Sequence, residues 1–306
     1  MELTTVAEGL RFPEGPVALA DGTVLVVEID RGTLSRVHPD GRIDVVADCG
    51  GGPNSAAIGP DGAAYITNNG GCFGFVDLGA LLLPGPVPPT WSGGSIQRVD
   101  LSSGDVTTLY THCGDVALRA PNDLVFDATG GFWFTDHGVR LERSSDLTGV
   151  YYAQPDGTSI REVIFPLEAP NGVGLSPDQD RLYVAETHTG RLWEWPITSP
   201  GHVSLGLPID GGGRLLFAAP GAQRFDSMAV DGDGWVCVAT LGAGGITQVS
   251  PDGSQSQRLE IPEDPIVTNI CFGGPDLRTA YITSSATGRL LSCCWERPGL
   301  ALAFSA

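Results

Sequence analysis

The sequence predicts an all-β fold: a single six-bladed β-propeller over residues 1–306, with four-stranded antiparallel blades around a central axis. Three observations carry this. A hairpin unit recurs six times along the chain, each copy built on a tight turn. The 43 Gly and 23 Pro are spread along the whole sequence and not gathered in one tail, as many short strands joined by many turns require. A second hairpin falls between most copies and brings each unit to about 50 residues, the size of a propeller blade.

The copies read, in order, EGPVALADGTVLVVEI from Glu14, NSAAIGPDGAAYITNN from Asn54, NDLVFDATGGFWFTDH from Asn122, NGVGLSPDQDRLYVAET from Asn171, DSMAVDGDGWVCVATL from Asp226 and TNICFGGPDLRTAYITSS from Thr268. In each, two alternating apolar runs flank a turn that carries Asp or Gly residues, types suited to the backbone conformations of tight hairpins. The intervening hairpins include GTLSRVHPDGRIDVVAD, GSIQRVDLSSGDVTTLY, GVYYAQPDGTSIREVIF and GGITQVSPDGSQSQRLEI. One such sheet cannot bury both its faces, whereas six around an axis cover one another and leave only short edges. A β-sandwich or a solenoid is the alternative that the repeat leaves open.

The spacing breaks once. Asn54 to Asn122 is 68 residues, against 40 from Glu14 to Asn54, and the excess lies in residues 70–94, GGCFGFVDLGALLLPGPVPPTWSGG. That connection follows a second strand, so it emerges on the face where the first strands begin. It is expected to cover that face as a partial lid with Phe73, Phe75, Leu81 to Leu83 and Trp91, or else to pack on a neighbouring blade.

Charge narrows the partners. Lys and Arg total 17 against 36 Asp and Glu, a net charge of -19, which repels phosphate backbones and anionic headgroups. Nucleic acid and membrane are therefore not expected partners. The seven cysteines include no C-x-x-C pair, the N-terminus has no basic and apolar leader, and no apolar run is long enough to span a bilayer. A reduced, cytoplasmic setting is expected, with the chain a monomer or a weak homodimer.

The residues that open the innermost strands must point toward one small axial space. They are Glu14, Asn54, Asn122, Asn171, Asp226 and Asn269, all bearers of hard oxygens. Such donors from separate strands suit one divalent cation, Ca²⁺ first, with Mg²⁺, Mn²⁺ or Zn²⁺ as alternatives, and Glu14, Asn122, Asn171 and Asp226 form the core set. Any one of these positions alone reads equally as a turn residue bonding its own backbone.

At these residues the chain resembles the SMP-30/gluconolactonase/luciferin-regenerating-enzyme family. The resemblance runs through FPEGPV at 12–17, APNDLVFD at 120–127, GGFWFTD at 130–136, APNGVGLSPD at 169–178, LYVAET at 182–187, FDSMAVD at 225–231 and FGGPDLRTAYIT at 272–283. It implies a six-bladed propeller and an axial divalent ion, commonly Ca²⁺, held by Glu14, Asn122, Asn171 and Asp226. It also implies lactone hydrolysis, with organophosphate hydrolysis in a related branch. Sugar-lactone-opening members carry an Arg two residues before the third-blade Asn; here that position is Ala120 and the nearest Arg is Arg119. A sugar lactone is thus not implied.

The expected reaction is metal-dependent opening of a small lactone, with Asp226 as general base as well as ligand. Asn54, Asn69, Arg119, His137, His188 and Asn269 are the expected substrate contacts, the two histidines also being candidates for proton transfer. Asp136, Trp133, Phe134, Trp193 and Trp195 read as structural. Two other readings stay open: a phosphotriesterase-like hydrolase using the same ion, and a non-catalytic propeller that binds a small molecule. No G-x-S-x-G, Walker loop, dinucleotide fingerprint or H-E-x-x-H occurs.

Overall fold

The computed structural model describes residues 1–207 and 210–304. Six antiparallel sheets form six blades. Blade 1 runs Pro13–Ala18, Val24–Glu28, Thr33–Val37, Ile43–Asp48, and blade 2 runs Pro53–Ile58, Ala64–Asn68, Ser95–Val99, Val106–Tyr110. Blade 3 is Pro121–Phe126, Phe132–Asp136, Thr148–Ala153, Ile160–Leu167. Blade 4 is Pro170–Leu175, Arg181–Glu186, Arg191–Ser199 with Arg214–Ala218 outermost, and blade 5 is Arg224–Val230, Val236–Leu241, Gly245–Val249, Ser256–Glu260. Blade 6 draws Val267–Gly273, Thr279–Ser284 and Arg289–Cys294 from the end of the chain and takes Thr4–Glu8 from its start as the outer strand. That pairing closes the ring.

The innermost strands touch their neighbours all the way round, Pro13–Ala18 meeting both Pro53–Ile58 and Val267–Gly273. Second strands such as Val24–Glu28 are buried at every residue because a blade lies against each face. The core is correspondingly divided into six apolar layers, one between each adjacent pair of blades. Trp133, Trp193 and Trp195 fill the layer between blades 3 and 4, and Phe134 the one between blades 2 and 3. All seven cysteines are free thiols, and no described helix is long and apolar enough to cross a membrane.

One irregularity repeats in all six blades. The register between first and second strands shifts at Glu14/Val17, Pro53/Ser55, Pro121/Leu124, Pro170/Val173, Phe225/Met228 and Val267/Asn269. A β-bulge breaks the alternation of side chains and re-aims the residue beside it. Each innermost strand is thus bent at the Asp, Asn or Glu that opens it.

The insertion, residues 70–94, carries a small hairpin of its own, Phe75–Asp77 with Leu82–Pro84. One limb reaches blades 1 and 6: Phe75 meets Phe12 with ring centres 5.0 Å apart, Leu82 N–H donates to Ala286 O at 2.8 Å, and Asp77 pairs with Arg11 at 3.1 Å. The other limb reaches blade 3, where Cys72, Val87 and Trp91 pack on Ala120 and Val139. Phe12, Ala120 and Ala286 all adjoin the face on which the innermost strands begin.

Candidate metal centre and active site

Glu14, Asn122 and Asn171 are buried at 2%, 5% and 4% exposure, and Asp226 is half-buried. Glu14 Oε2 accepts from Asn269 Nδ2 at 2.7 Å and from the Gly15 N–H. Its Oε1 has no hydrogen-bond partner among the described residues, and neither has Asn122 Oδ1. Asn171 Nδ2 donates to Thr187 Oγ1 at 3.0 Å, and its Oδ1 accepts from Ser227 Oγ at 3.2 Å. That Oδ1 keeps a second lone pair.

The carboxylates of the site destabilise one another. Burial pushes the Glu14 carboxyl well above its usual range, and the charges of Asp226 and Asp123 push it further. Burial likewise pushes Asp226 up to about 8, with Asp123 adding to it. Two orphaned oxygens among carboxyls that resist ionisation are a site short of positive charge, which a hard divalent cation would supply. The donor set fits such an ion. It consists of two carboxylates and two amides, and no group of three or more His, Cys, Asp or Glu positioned to hold a metal occurs among the described residues.

Asp123 is the residue that sequence reasoning missed. Its Oδ1 accepts from Ser55 Oγ at 2.8 Å and from Leu124 N–H at 3.0 Å, and its Oδ2 from Val173 N–H at 3.0 Å. It therefore ties blades 2, 3 and 4 together at the axis, with its pKa raised by burial to about 6. Threonines do similar work from the second strands. Thr67 Oγ1 accepts from Ser55 N–H at 2.9 Å and donates to Asn122 O at 2.5 Å; Thr135 Oγ1 accepts from Asp123 N–H at 3.1 Å and donates to Asn171 O at 2.5 Å. Each hydroxyl bonds its own blade and holds the backbone of a candidate ligand in the next. The recurrence of Thr in YITN, WFTD, VATL and YITS was the available signal.

The expected substrate contacts divide into two groups. Asn54 Oδ1 accepts from Asn69 Nδ2 at 2.9 Å, while Asn69 Oδ1 takes the Gly71 and Cys72 N–H groups and Asn69 O takes Trp91 Nε1 at 2.9 Å. Arg119 donates to Asp146 at 2.9 Å and lies over the Trp91 ring at 4.5 Å. These side chains root the insertion. Asp136 accepts from the Arg119, Ala120 and Gly138 N–H groups, the structural role its position suggested. Asn269, through its bond to Glu14, orients a candidate ligand.

His137 and His188 form the second group, with rings T-shaped and centres 5.5 Å apart. His188 Nδ1 is shielded and unpartnered. Burial lowers the pKa of both; the charges of His137, Arg140 and Arg224 also act on His188, which falls to about 4. Both imidazoles are neutral at pH 7.

Residues 12–286 match the family described as SMP-30/gluconolactonase/LRE-like region. The lactonase drp35 of Staphylococcus saprophyticus is 30% identical over 257 residues, covering 83% of this chain and 71% of its own length. Among solved structures, a gluconolactonase from Xanthomonas campestris superposes with a TM-score of 0.73 at 22% identity, covering 95% of this chain and 88% of that one. Regucalcin from Agrobacterium tumefaciens, described as a calcium-binding protein, gives 0.71 at 19% identity over 97% and 94%. The match over nearly the whole propeller, with the bulged Glu, Asn and Asp positions at its axis, establishes that this chain belongs to the SMP-30/gluconolactonase/LRE-like family.

Proposed function

We propose that the chain is a divalent-metal-dependent hydrolase that opens a small lactone, with one cation, Ca²⁺ first, held by Glu14, Asn122, Asn171 and Asp226. The observation that carries this is the pair of buried oxygens without donors, Glu14 Oε1 and Asn122 Oδ1, among carboxyls whose ionisation burial opposes. Relatives named lactonase and gluconolactonase, and a structural neighbour named for calcium binding, support the same reading.

A bound divalent cation supplies Lewis acidity, polarising a carbonyl and acidifying water. The chain's own groups do the rest. Asp226 is the first choice to take the proton of the attacking water, since a carboxylate among the ligands of the ion would stand next to the water that the ion acidifies. Asn171 is oriented from both sides by Thr187 and Ser227, which fixes where its Oδ1 points. His137 and His188, whose ring centres stand 5.5 Å apart, are the candidates for proton transfer to the departing ring oxygen. Arg119, Asn54 and Asn69 hold the insertion as a partial lid over the cup.

The test is to strip the protein with a chelator, restore Ca²⁺, Mg²⁺, Mn²⁺ or Zn²⁺ one at a time, and follow acid release on a panel of five- and six-membered lactones. Metal-restored release that is lost in Asp226→Asn is the expected result. A protein shown by calorimetry to bind the ion, yet releasing no acid with any metal or lactone, would sink the proposal.

A further inference from the structure

The axis carries a second hollow beyond the candidate metal centre. All six innermost strands wall it, at residues 15–18, 55–58, 123–126, 173–175, 228–230 and 269–272, and its volume is about 110 Å³. Most of these residues follow Glu14, Asn122, Asn171 and Asp226 along their strands, so the hollow lies toward the opposite face of the ring.

The chain itself floors this chamber. After Arg289–Cys294 it turns under the ring, where Arg297 pairs with buried Asp231 at 2.5 Å and lies over the Trp235 ring at 4.4 Å. Pro298 O accepts from Gly232 N–H at 2.8 Å, Gly299 N–H donates to Leu277 O at 2.8 Å, and Leu300 N–H donates to Val230 O at 3.1 Å. These bonds hold the segment to blades 5 and 6. Phe304 then meets Phe126 of blade 3 edge-on, with ring centres 5.8 Å apart. The segment thus crosses the axis, and Leu300, Leu302, Ala303 and Phe304 line the chamber from below. A surface hollow of about 320 Å³ lies beside the turns of blades 1 and 2, lined by Leu19, Pro60 and Leu101. Ile58 and Phe304 border both spaces, so the Phe304 ring stands where they meet.

The polar side chains of the chamber are engaged with one another or with backbone. Ser55 Oγ donates to Asp123, whose carboxyl also takes the Leu124 and Val173 N–H groups. Asn269 donates to Glu14, and its Oδ1 accepts from Ile270 N–H at 2.7 Å. Burial pushes the Cys271 thiol up to about 12, which keeps it neutral. Apart from glycines, the remaining wall is Val, Leu, Ile, Phe, Ala, Met and Pro. Such a wall holds no charged side chain free to pair with an ion, and offers water at most Ser55 and backbone groups at the strand edges. An apolar cavity of about 150 Å³ lined by Leu, Ile and Phe stays dry and takes benzene or xenon.

We infer that this chamber is a second binding site, separate from the metal centre, that takes an uncharged apolar molecule about the size of one aromatic ring, admitted past Phe304. The inference does not depend on the lactonase reading, since no residue of the chamber is assigned a part in that reaction beyond orienting Glu14.

The experiment uses the full chain with Ca²⁺ present. A crystal pressurised with xenon is expected to hold xenon on the axis, between the innermost strands and Leu302 and Phe304. In solution, benzene is expected to raise Tm in a saturable way. Ala303 lines the floor yet is exposed, so Ala303→Trp fills the chamber with little risk to the fold. That variant is expected to bind benzene about tenfold or more weakly. Phe304→Ala is expected to speed benzene exchange, read from NMR line shapes, by about tenfold or more. A chamber filled by ordered water and holding no xenon overturns the inference, as does a benzene response that Ala303→Trp leaves unchanged. Exchange that Phe304→Ala does not alter overturns the entry route.

Discussion

Asn269 of the last blade donates its side-chain amide to Glu14 of the first, at 2.7 Å, across 255 positions of sequence. The bond restrains a candidate metal ligand through one oxygen, while its other oxygen stays buried without a partner among the described residues. Asn269→Ala removes a hydrogen bond to a charged group, which is worth about 1.5–3 kcal/mol. Calcium affinity measured by calorimetry is expected to fall about tenfold or more. An affinity equal to wild type would show that Glu14 needs no such guide.

Thr135 offers a test of the inter-blade bonds. Thr135→Val keeps the shape but strips the acceptor for Asp123 N–H and the donor to Asn171 O, leaving two buried backbone groups without partners. Unfolding in denaturant should show a loss of about 2–4 kcal/mol. Because the second of those groups is the backbone of a candidate ligand, metal affinity should fall as well; a drop in stability alone would confine the hydroxyl to holding the ring.

The metal-free protein should lose stability as pH rises from about 6.5 to about 8. The sign follows from Asp226 and Glu14, whose folded pKa values lie above the unfolded ones: their contribution is complete while both states hold the proton and disappears as the folded carboxyls ionise. His188 and His137 are shifted the other way and act lower, between their ordinary pKa near 6.5 and the folded value of about 4 for His188. Thermal melts in chelator at the two pH values, repeated with Ca²⁺, are the measurement. The calcium-induced rise in Tm should grow with pH, and a rise that is flat or shrinks would contradict the carboxylate assignment.

Phe75→Ala tests the insertion. The ring bridges to Phe12 and sits over the Phe12, Ile29 and Leu82 cluster, while the hairpin around it is half-exposed. Hydrogen exchange in residues 73–86 should accelerate about tenfold or more, because this segment opens locally without the blades. Exchange that accelerates equally in all six blades would show the insertion to be part of the global core.

Much of this architecture was legible beforehand because its determinants are local. The Asp-Gly turns announce the hairpins, the Asp, Asn or Glu at each first strand announces the axial ring, and the long gap before Asn122 announces the insertion. What escaped reading depends on distant partners. Thr4–Glu8 is an unremarkable short run until Arg289–Cys294 is placed beside it. Blade 4 completes itself with Arg214–Ala218 after a connection over 200–213, much longer than the tight turns of the other outer hairpins. Asp123 adjoins Asn122 and was read as part of its strand, but the bulge at Pro121/Leu124 turns it to the axis, where three blades bond it.

The pairing of Thr4–Glu8 with Arg289–Cys294 also sets an order of events during synthesis. Glu14 leaves the ribosome well before the amide that orients it, 255 positions later, and before the strand Arg289–Cys294. Blades can form in succession as hairpins, each with mostly local pairings, but the axial cluster cannot assemble until the final blade arrives. If the axial residues hold a cation as proposed, its capture waits on blade 6, and a nascent or truncated protein lacking that blade would leave Glu14 without the amide that orients it.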